Sequence, residues 1–354
     1  MYEFIKLNKD ERSQAFRIAS ERLGFPAYVI EKDLWVTYML DTLFNRIQHN
    51  HRIMFKGGTS LSKCYGLIDR FSEDIDLSLH MADLGFEGDK APHTVAKNES
   101  NAAAKKAIES LKLAGEEFLK STIMVLLRGV ITEDVNSQDT WGLIIDENNP
   151  ENLLFYYPKS LEDGEYGNQY VKPVVLIETG TKSEHIPLEQ VEIKSLLEDA
   201  ISEIKSSATI QVLSPKRTFW EKVTILHAEN NINRVERVKE RLSRHLYDIV
   251  MLSRDKIGLE AMADLGLLES VAKHKAFYYR SNAAKYDEAK SGTLKIVPKD
   301  EILKAFRADY EKMRSMFAGE IIEFDVIIEE LSLLESKING YRGSIINWLG
   351  DKRN

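Results

Sequence analysis

The sequence predicts an α/β domain followed by an all-helical one. Three observations carry that expectation. Residues 52–80 run as strand, glycine turn, short helix and strand. Segments between 141 and 180 look like further strands, separated by Asn, Pro and Gly turns. From about 206 onward apolar residues recur at helical spacing without a convincing strand pattern. The boundary is therefore expected near 205, giving domains 1–205 and 206–354.

In chain order, "KDERSQAFRIASERLG" and "PAYVIEKDLWVTYMLDTLFNRI" show apolar residues at helical spacing, with Pro26 suited to open the second helix. "RIMFK" reads as a short apolar strand, Gly57-Gly58 as a turn, "TSLSKCYG" as a short helix and "DIDLSL" as a strand. A mostly helical insertion follows at about 94–128, and the strands resume with "TWGLIID", "NLLFYYP" and "YVKPVVLIETG". The second domain contributes the amphipathic stretches "SPKRTFWEKVTILHAEN", "VKERLSRHLYDIVMLS", "KDEILKAFRADYEKMRSMF" and "FDVIIEELSLLESKI".

With 354 residues, 43% hydrophobic and 29% charged, the chain buries a sizeable core. A formal net charge of -8 means that any polyanion must be met by a local basic patch. One cysteine, Cys64, excludes an intramolecular disulfide and a Cys-based zinc site, as expected of a cytoplasmic protein. The most apolar window, "AYVIEKDLWVTYMLDTLF", is interrupted by Glu31, Lys32 and Asp33, so no membrane partner is expected.

"SEDIDLSL" poses the chemical question, because Asp74 and Asp76 fall on one face of a strand. Carboxylates about 6.6 Å apart along the chain repel by roughly 2.5 kcal/mol at an effective dielectric near 20. A solvent-facing edge strand tolerates that through screening. The alternative is a cation. It draws on the preceding Gly57-Gly58 turn and on Thr59 and Ser60, which open a helix whose N-terminus attracts anions. Phosphate donors beside carboxylates suit magnesium, which takes one or two carboxylates plus substrate phosphates.

These residues carry a resemblance. "FKGGTSLSKCYGLIDRFSEDIDLSL", with "VIEKDLWVTYMLDTLF", "YVKPVVLIETGTKSEHIP", "TFWEKVTILH" and "RLSRHLYDI", resembles the AbiEii/AbiGii toxin nucleotidyltransferases, a DNA polymerase beta-like family of type IV toxin-antitoxin systems that includes MenT-type toxins. The resemblance implies a mixed-sheet nucleotidyltransferase domain and an active site in the cleft before the helical domain. It implies a pair of Mg2+ ions held by Asp74 and Asp76, with Glu178 in "VVLIETG" as the third carboxylate. It places Gly57, Gly58, Thr59, Ser60, Lys63 and Ser72 at the nucleotide.

Lys222 lies inside the apolar stripe of Phe219, Val223 and Leu226. A snorkelling side chain explains it; the resemblance instead assigns Lys222 to the triphosphate. Asp248 matches a further functional aspartate, while Arg244 at i-4 offers an ordinary surface ion pair. His227 and His245 read as structural or hydrogen-bonding residues, because magnesium prefers oxygen. Arg234, Arg237, Lys239, Arg241 and Arg244 form a basic run that fits either RNA phosphates or a solvated helix face. Tyr278 and Tyr279 fit base stacking or helix packing.

The implied function is a toxin that transfers a nucleoside monophosphate from an NTP to an RNA acceptor, with tRNA as the suggested acceptor and a cognate antitoxin as partner, blocking translation. Two other classes fit the same residues. One is a nucleotidyltransferase acting on a protein or small-molecule hydroxyl; the other is a regulatory module that holds nucleotide without turnover.

Overall fold

Seven strands among the described residues form one mixed sheet: β1 (Ile53–Lys56), β2 (Ile75–Leu79), β3 (Gly142–Ile145), β4 (Asn152–Tyr156), β5 (Val175–Gly180), β6 (Leu188–Ile193) and β7 (Ala208–Leu213). The computed structural model describes residues 1–166, 172–238, 240–317 and 321–340. The order across the sheet is β3-β4-β5-β2-β1-β7-β6. β2 runs parallel to β5 and β1 parallel to β7, while the other neighbours are antiparallel.

The sheet belongs to the first of two units, Met1–Gly66 with Phe71–Leu213. Its helices are α1 (Tyr2–Ile5), α2 (Lys9–Leu23), α3 (Ala27–Asp41), α4 (Gly57–Lys63), α5 (Pro92–Asn98), α6 (Asn101–Phe118), α7 (Met124–Asp134) and α8 (Leu196–Ala200). α2 starts on a capping box between Asn8 and Glu11 and ends on Gly24 in the left-handed conformation. α3 is buried nearly all round. Its Trp35, Tyr38 and Met39 share a core with Phe55, Leu77 and Ile177 of the sheet. Along β2 that core takes the odd positions, Ile75 and Leu77, and leaves Asp74 and Asp76 on the other face.

The second unit is Leu67–Arg70 with Ser214–Asn354. Its helices are α9 (Pro215–Ile232), α10 (Arg244–Arg254), α11 (Lys256–Ala263), α12 (Leu265–Tyr278), α13 (Asp300–Lys312) and α14 (Phe324–Gly340). The expected α9 stripe of Phe219, Val223 and Leu226 is fully buried.

Three expectations need correction. β7 lies beyond position 205 and carries the period-two pattern of a strand: Ala208, Ile210 and Val212 are buried while Thr209 and Gln211 are exposed. Its pairing with β1 at Phe55 and Val212 moves the boundary to Leu213 and Ser214. β6 was missed because, at the edge of the sheet, Leu188, Glu189 and Gln190 are all exposed and no alternation marks it. The helix expected from "VKERLSRHLYDIVMLS" begins only at Arg244. Before it, Arg241 adopts a φ of 68°, and the backbone N–H groups of Arg241 and Ser243 both donate to Asp309 at 2.7 Å. Lys239 and residues 341–354 lie outside the described residues.

Candidate active site

Strand register brings the candidate carboxylates together. Asp76 on β2 faces Lys56 across β1 and Glu178 across β5, and Glu178 faces Asn152 across β4. Residues facing one another across a ladder project to one side, so Lys56, Asp76, Glu178 and Asn152 form a polar row over four strands. Neighbouring strands lie about 4.8 Å apart. Two carboxylates held at that strand spacing would repel by roughly 3.5 kcal/mol at an effective dielectric near 20. A cation offsets such repulsion, and Lys56, in register with Asp76 on its other side, is one that the sheet itself supplies.

The glycine turn is shaped around the same carboxylate. Gly57, between β1 and the body of α4, has a φ of 81°, and a Cβ built on it would stand 1.8 Å from Asp76 Oδ2. Glycine is required twice here, for the left-handed backbone and for the room. Ser60 Oγ donates to the Gly57 carbonyl at 2.9 Å, which ties the turn to α4. Thr59 Oγ1 and Ser72 Oγ are 2.8 Å apart, so two of the proposed nucleotide residues, from α4 and from the segment before β2, meet directly. Gly58 is the second residue of α4. Lys63, at its end, pairs with Asp33 of α3 at 2.6 Å.

The donor set fits a hard cation. Carboxylate oxygens at Asp74, Asp76 and Glu178 are the ligand type magnesium takes, and one or two carboxylates suffice when substrate phosphates complete the shell. No group of three or more His, Cys, Asp or Glu side chains among the described residues is preassembled for a metal. Asp76 and Glu178, paired in register, are what the sheet itself supplies.

In the second unit Lys222 and Asp248 also meet, in an arrangement the sequence did not disclose. Asp248 is fully buried. Its Oδ1 accepts from Arg70 Nε at 2.7 Å and its Oδ2 from Arg70 Nη2 at 2.8 Å. Lys222 Nζ lies 2.8 Å from the same Oδ2. The surface pair with Arg244 is therefore not what defines Asp248. Nor does Lys222 snorkel, since its side chain is 7% exposed. Burial alone would raise the Asp248 carboxyl, but Arg70 and Lys222 outweigh it and hold the group well below the usual carboxylate range. Burial lowers the Lys222 ammonium, against the upward pull of Asp248. The Asp248 direction follows from one carboxylate held by two cations; the Lys222 direction follows from burial, which the shared carboxylate offsets only in part.

His245 and His227 act as hydrogen-bonding residues, as expected. His245 Nδ1 is 3.5 Å from Lys222 Nζ, and burial, reinforced by Lys222, lowers the pKa of this imidazole well below the ordinary histidine value. The His227 Nδ1 accepts from the Lys295 backbone at 3.1 Å. Tyr278 stands 4.6 Å from the His274 ring, while Tyr279 at the end of α12 is 44% exposed. Sequence reasoning missed Lys56, Asn152, Arg70 and the Lys32–Glu73 pair. Arg70 was legible in principle, two residues before Ser72 in "RFSEDID".

No helix among the described residues is long and apolar enough to cross a membrane. No curated protein sequence matches the chain. The fold is similar to that of MenT4, a nucleotidyltransferase toxin of Mycobacterium tuberculosis, with a TM-score of 0.51 and 15% identity over 97% of this chain and 93% of that one. The sequence profile of the nucleotidyl transferase AbiEii toxin of type IV toxin-antitoxin systems matches residues 39–330. With the strand-turn-helix-strand unit and its carboxylates inside that span, the chain belongs to the AbiEii nucleotidyltransferase toxin family.

Proposed function

We propose that this nucleotidyltransferase moves a nucleoside monophosphate from an NTP to a hydroxyl of an RNA acceptor, with tRNA as the acceptor, and thereby blocks translation in the cytoplasm until its antitoxin intervenes. The observation that carries the reading is the in-register pairing of Asp76 with Glu178, beside a glycine turn that leaves room for the Asp76 carboxylate.

Asp74, Asp76 and Glu178 are assigned as ligands of a pair of magnesium ions. Bound there, magnesium supplies Lewis-acid stabilisation of the transferring phosphoryl group and the pyrophosphate leaving group. Gly57 and Gly58 allow close backbone approach to phosphate, and Thr59, Ser60 and Ser72 offer hydroxyl donors. Lys222 is assigned to the triphosphate; sharing Asp248 with Arg70 leaves its charge only partly compensated. Asp248 orients that lysine. The basic residues Arg234, Arg241 and Arg244 are assigned to acceptor phosphates.

The test is transfer from each labelled NTP, with magnesium, to purified tRNA, total RNA, protein and free sugars. Label appearing on tRNA supports the reading. Label confined to protein or sugar would move the enzyme to the other acceptor class.

A further inference from the structure

α3 carries three consecutive charged residues, Glu31, Lys32 and Asp33, inside a helix that is otherwise core. Successive helical residues point roughly 100° apart, so each reaches a different segment of the first unit. Glu31 accepts from the Ser160 backbone N–H and the Tyr166 hydroxyl, both at 2.6 Å. Asp33 accepts from Lys63 of α4 at 2.6 Å and from the Leu196 backbone N–H at 2.7 Å.

Lys32 makes the connection that bears on the active site. Its ammonium lies 2.8 Å from Glu73 Oε2, with the two side chains only 2% and 4% exposed. It also donates to the Lys172 carbonyl at 2.8 Å. Glu73 immediately precedes Asp74 and the start of β2, and Lys172 lies just before β5, which carries Glu178. One buried ammonium thus joins the lead-ins of both strands that bear the proposed metal ligands.

We infer that Lys32 is a positioning residue for the nucleotidyl-transfer site: through Glu73 and the Lys172 carbonyl it holds β2 and β5 in register, keeping Asp76 and Glu178 side by side against their mutual repulsion. The inference rests on the assignment of those carboxylates to a cation. Glu73 projects to the core face of β2 and Asp76 to the other, so Lys32 acts through the strand and touches neither substrate nor cation.

The experiment compares wild type, Glu73→Gln, the double variant Lys32→Met/Glu73→Gln, and Asp76→Ala. The double variant removes both buried charges together, so it folds where Lys32→Met alone, which strips Glu73 of a buried cationic partner, would risk unfolding. Three readouts are taken: thermal stability, amide hydrogen exchange at Ile75–Ser78 and Ile177–Gly180, and Mn2+ binding by electron paramagnetic resonance. In the double variant, exchange in those two segments should quicken by about tenfold or more relative to α9. Its Mn2+ affinity and turnover should fall by about 10- to 100-fold, the range for residues that orient metal ligands. In Glu73→Gln an amide oxygen and the Lys172 carbonyl still accept from Lys32, so the same readouts should shift less.

Unchanged exchange in the double variant overturns the inference, whether or not metal binds. Faster exchange with wild-type Mn2+ affinity and turnover also overturns it, because the pin would then be structural only. If wild type binds Mn2+ no better than Asp76→Ala, the metal assignment fails instead; faster exchange would in that case still support the pin.

Discussion

The carboxylate of Asp76 occupies the space that a side chain on Gly57 would take, with Oδ2 1.8 Å from the position of a Cβ there. Turn and strand are therefore matched: the residue that lets the chain reverse after β1 also makes room for the proposed ligand on β2.

Gly57→Ala should accordingly fail twice. Forcing a non-glycine residue to a φ of 81° costs roughly 1–2 kcal/mol of stability. The methyl also displaces Asp76, and a misplacement on the order of 1 Å is enough to lower turnover by about 100-fold. Urea unfolding and single-turnover transfer on the same preparation measure the two losses. A variant with normal turnover would show that the Asp76 carboxylate need not stay where the sheet places it.

Asp248 and Lys222 should behave unequally. Asp248→Ala leaves two buried cations, Arg70 and Lys222, without their shared carboxylate and should cost about 3–5 kcal/mol. Lys222→Met leaves Asp248 its two hydrogen bonds from Arg70 and should cost only about 1–3 kcal/mol. If Lys222 also binds the triphosphate, the Met variant loses NTP affinity while remaining folded. Chemical denaturation and equilibrium nucleotide binding check the ordering; equal destabilisation would mean that Arg70 does not hold Asp248 on its own.

What the sequence disclosed and what it withheld divide along physical lines. The DxD pair, the glycine turn and the stripe of α9 are local patterns, and their periods are visible within a dozen residues. Glu178 as partner of Asp76 depends on β5 lying parallel to β2, a pairing of segments far apart in the chain that periodicity does not encode. Arg70 and Asp248 are likewise separated by 178 positions. The Glu31-Lys32-Asp33 run was read as an interruption of an apolar window. Burial turns it into three anchoring points, because each charge finds a partner on a different segment.

Stability should fall as pH drops from about 6.5 towards 4. Burial, reinforced by His80 and Arg52, lowers the His185 pKa to about 4 from 6.5. The His185 ring lies 2.9 Å from Ser78 Oγ and 4.9 Å from the His80 ring. Between those pH values the unfolded chain binds a proton that the folded chain refuses, so the contribution is complete above the unfolded value and lost on descent to the folded one. The loss is on the order of 3 kcal/mol. His49, His80, His227 and His245 are shifted in the same direction and add to the slope. Urea unfolding at pH 7.5, 6 and 5 measures it, and His185→Asn should flatten it; an identical slope in that variant would remove His185 as a contributor.

The most direct measurement of the central claim is pyrophosphate release from NTP in the presence of magnesium and RNA, for wild type and Asp76→Asn. The expected result is release by wild type matched one for one by label on the acceptor, and loss of both in Asp76→Asn at a melting temperature that is unchanged or raised, since the substitution removes the repulsion with Glu178. Nucleotide binding without pyrophosphate release by wild type, or wild-type release by Asp76→Asn, would contradict it.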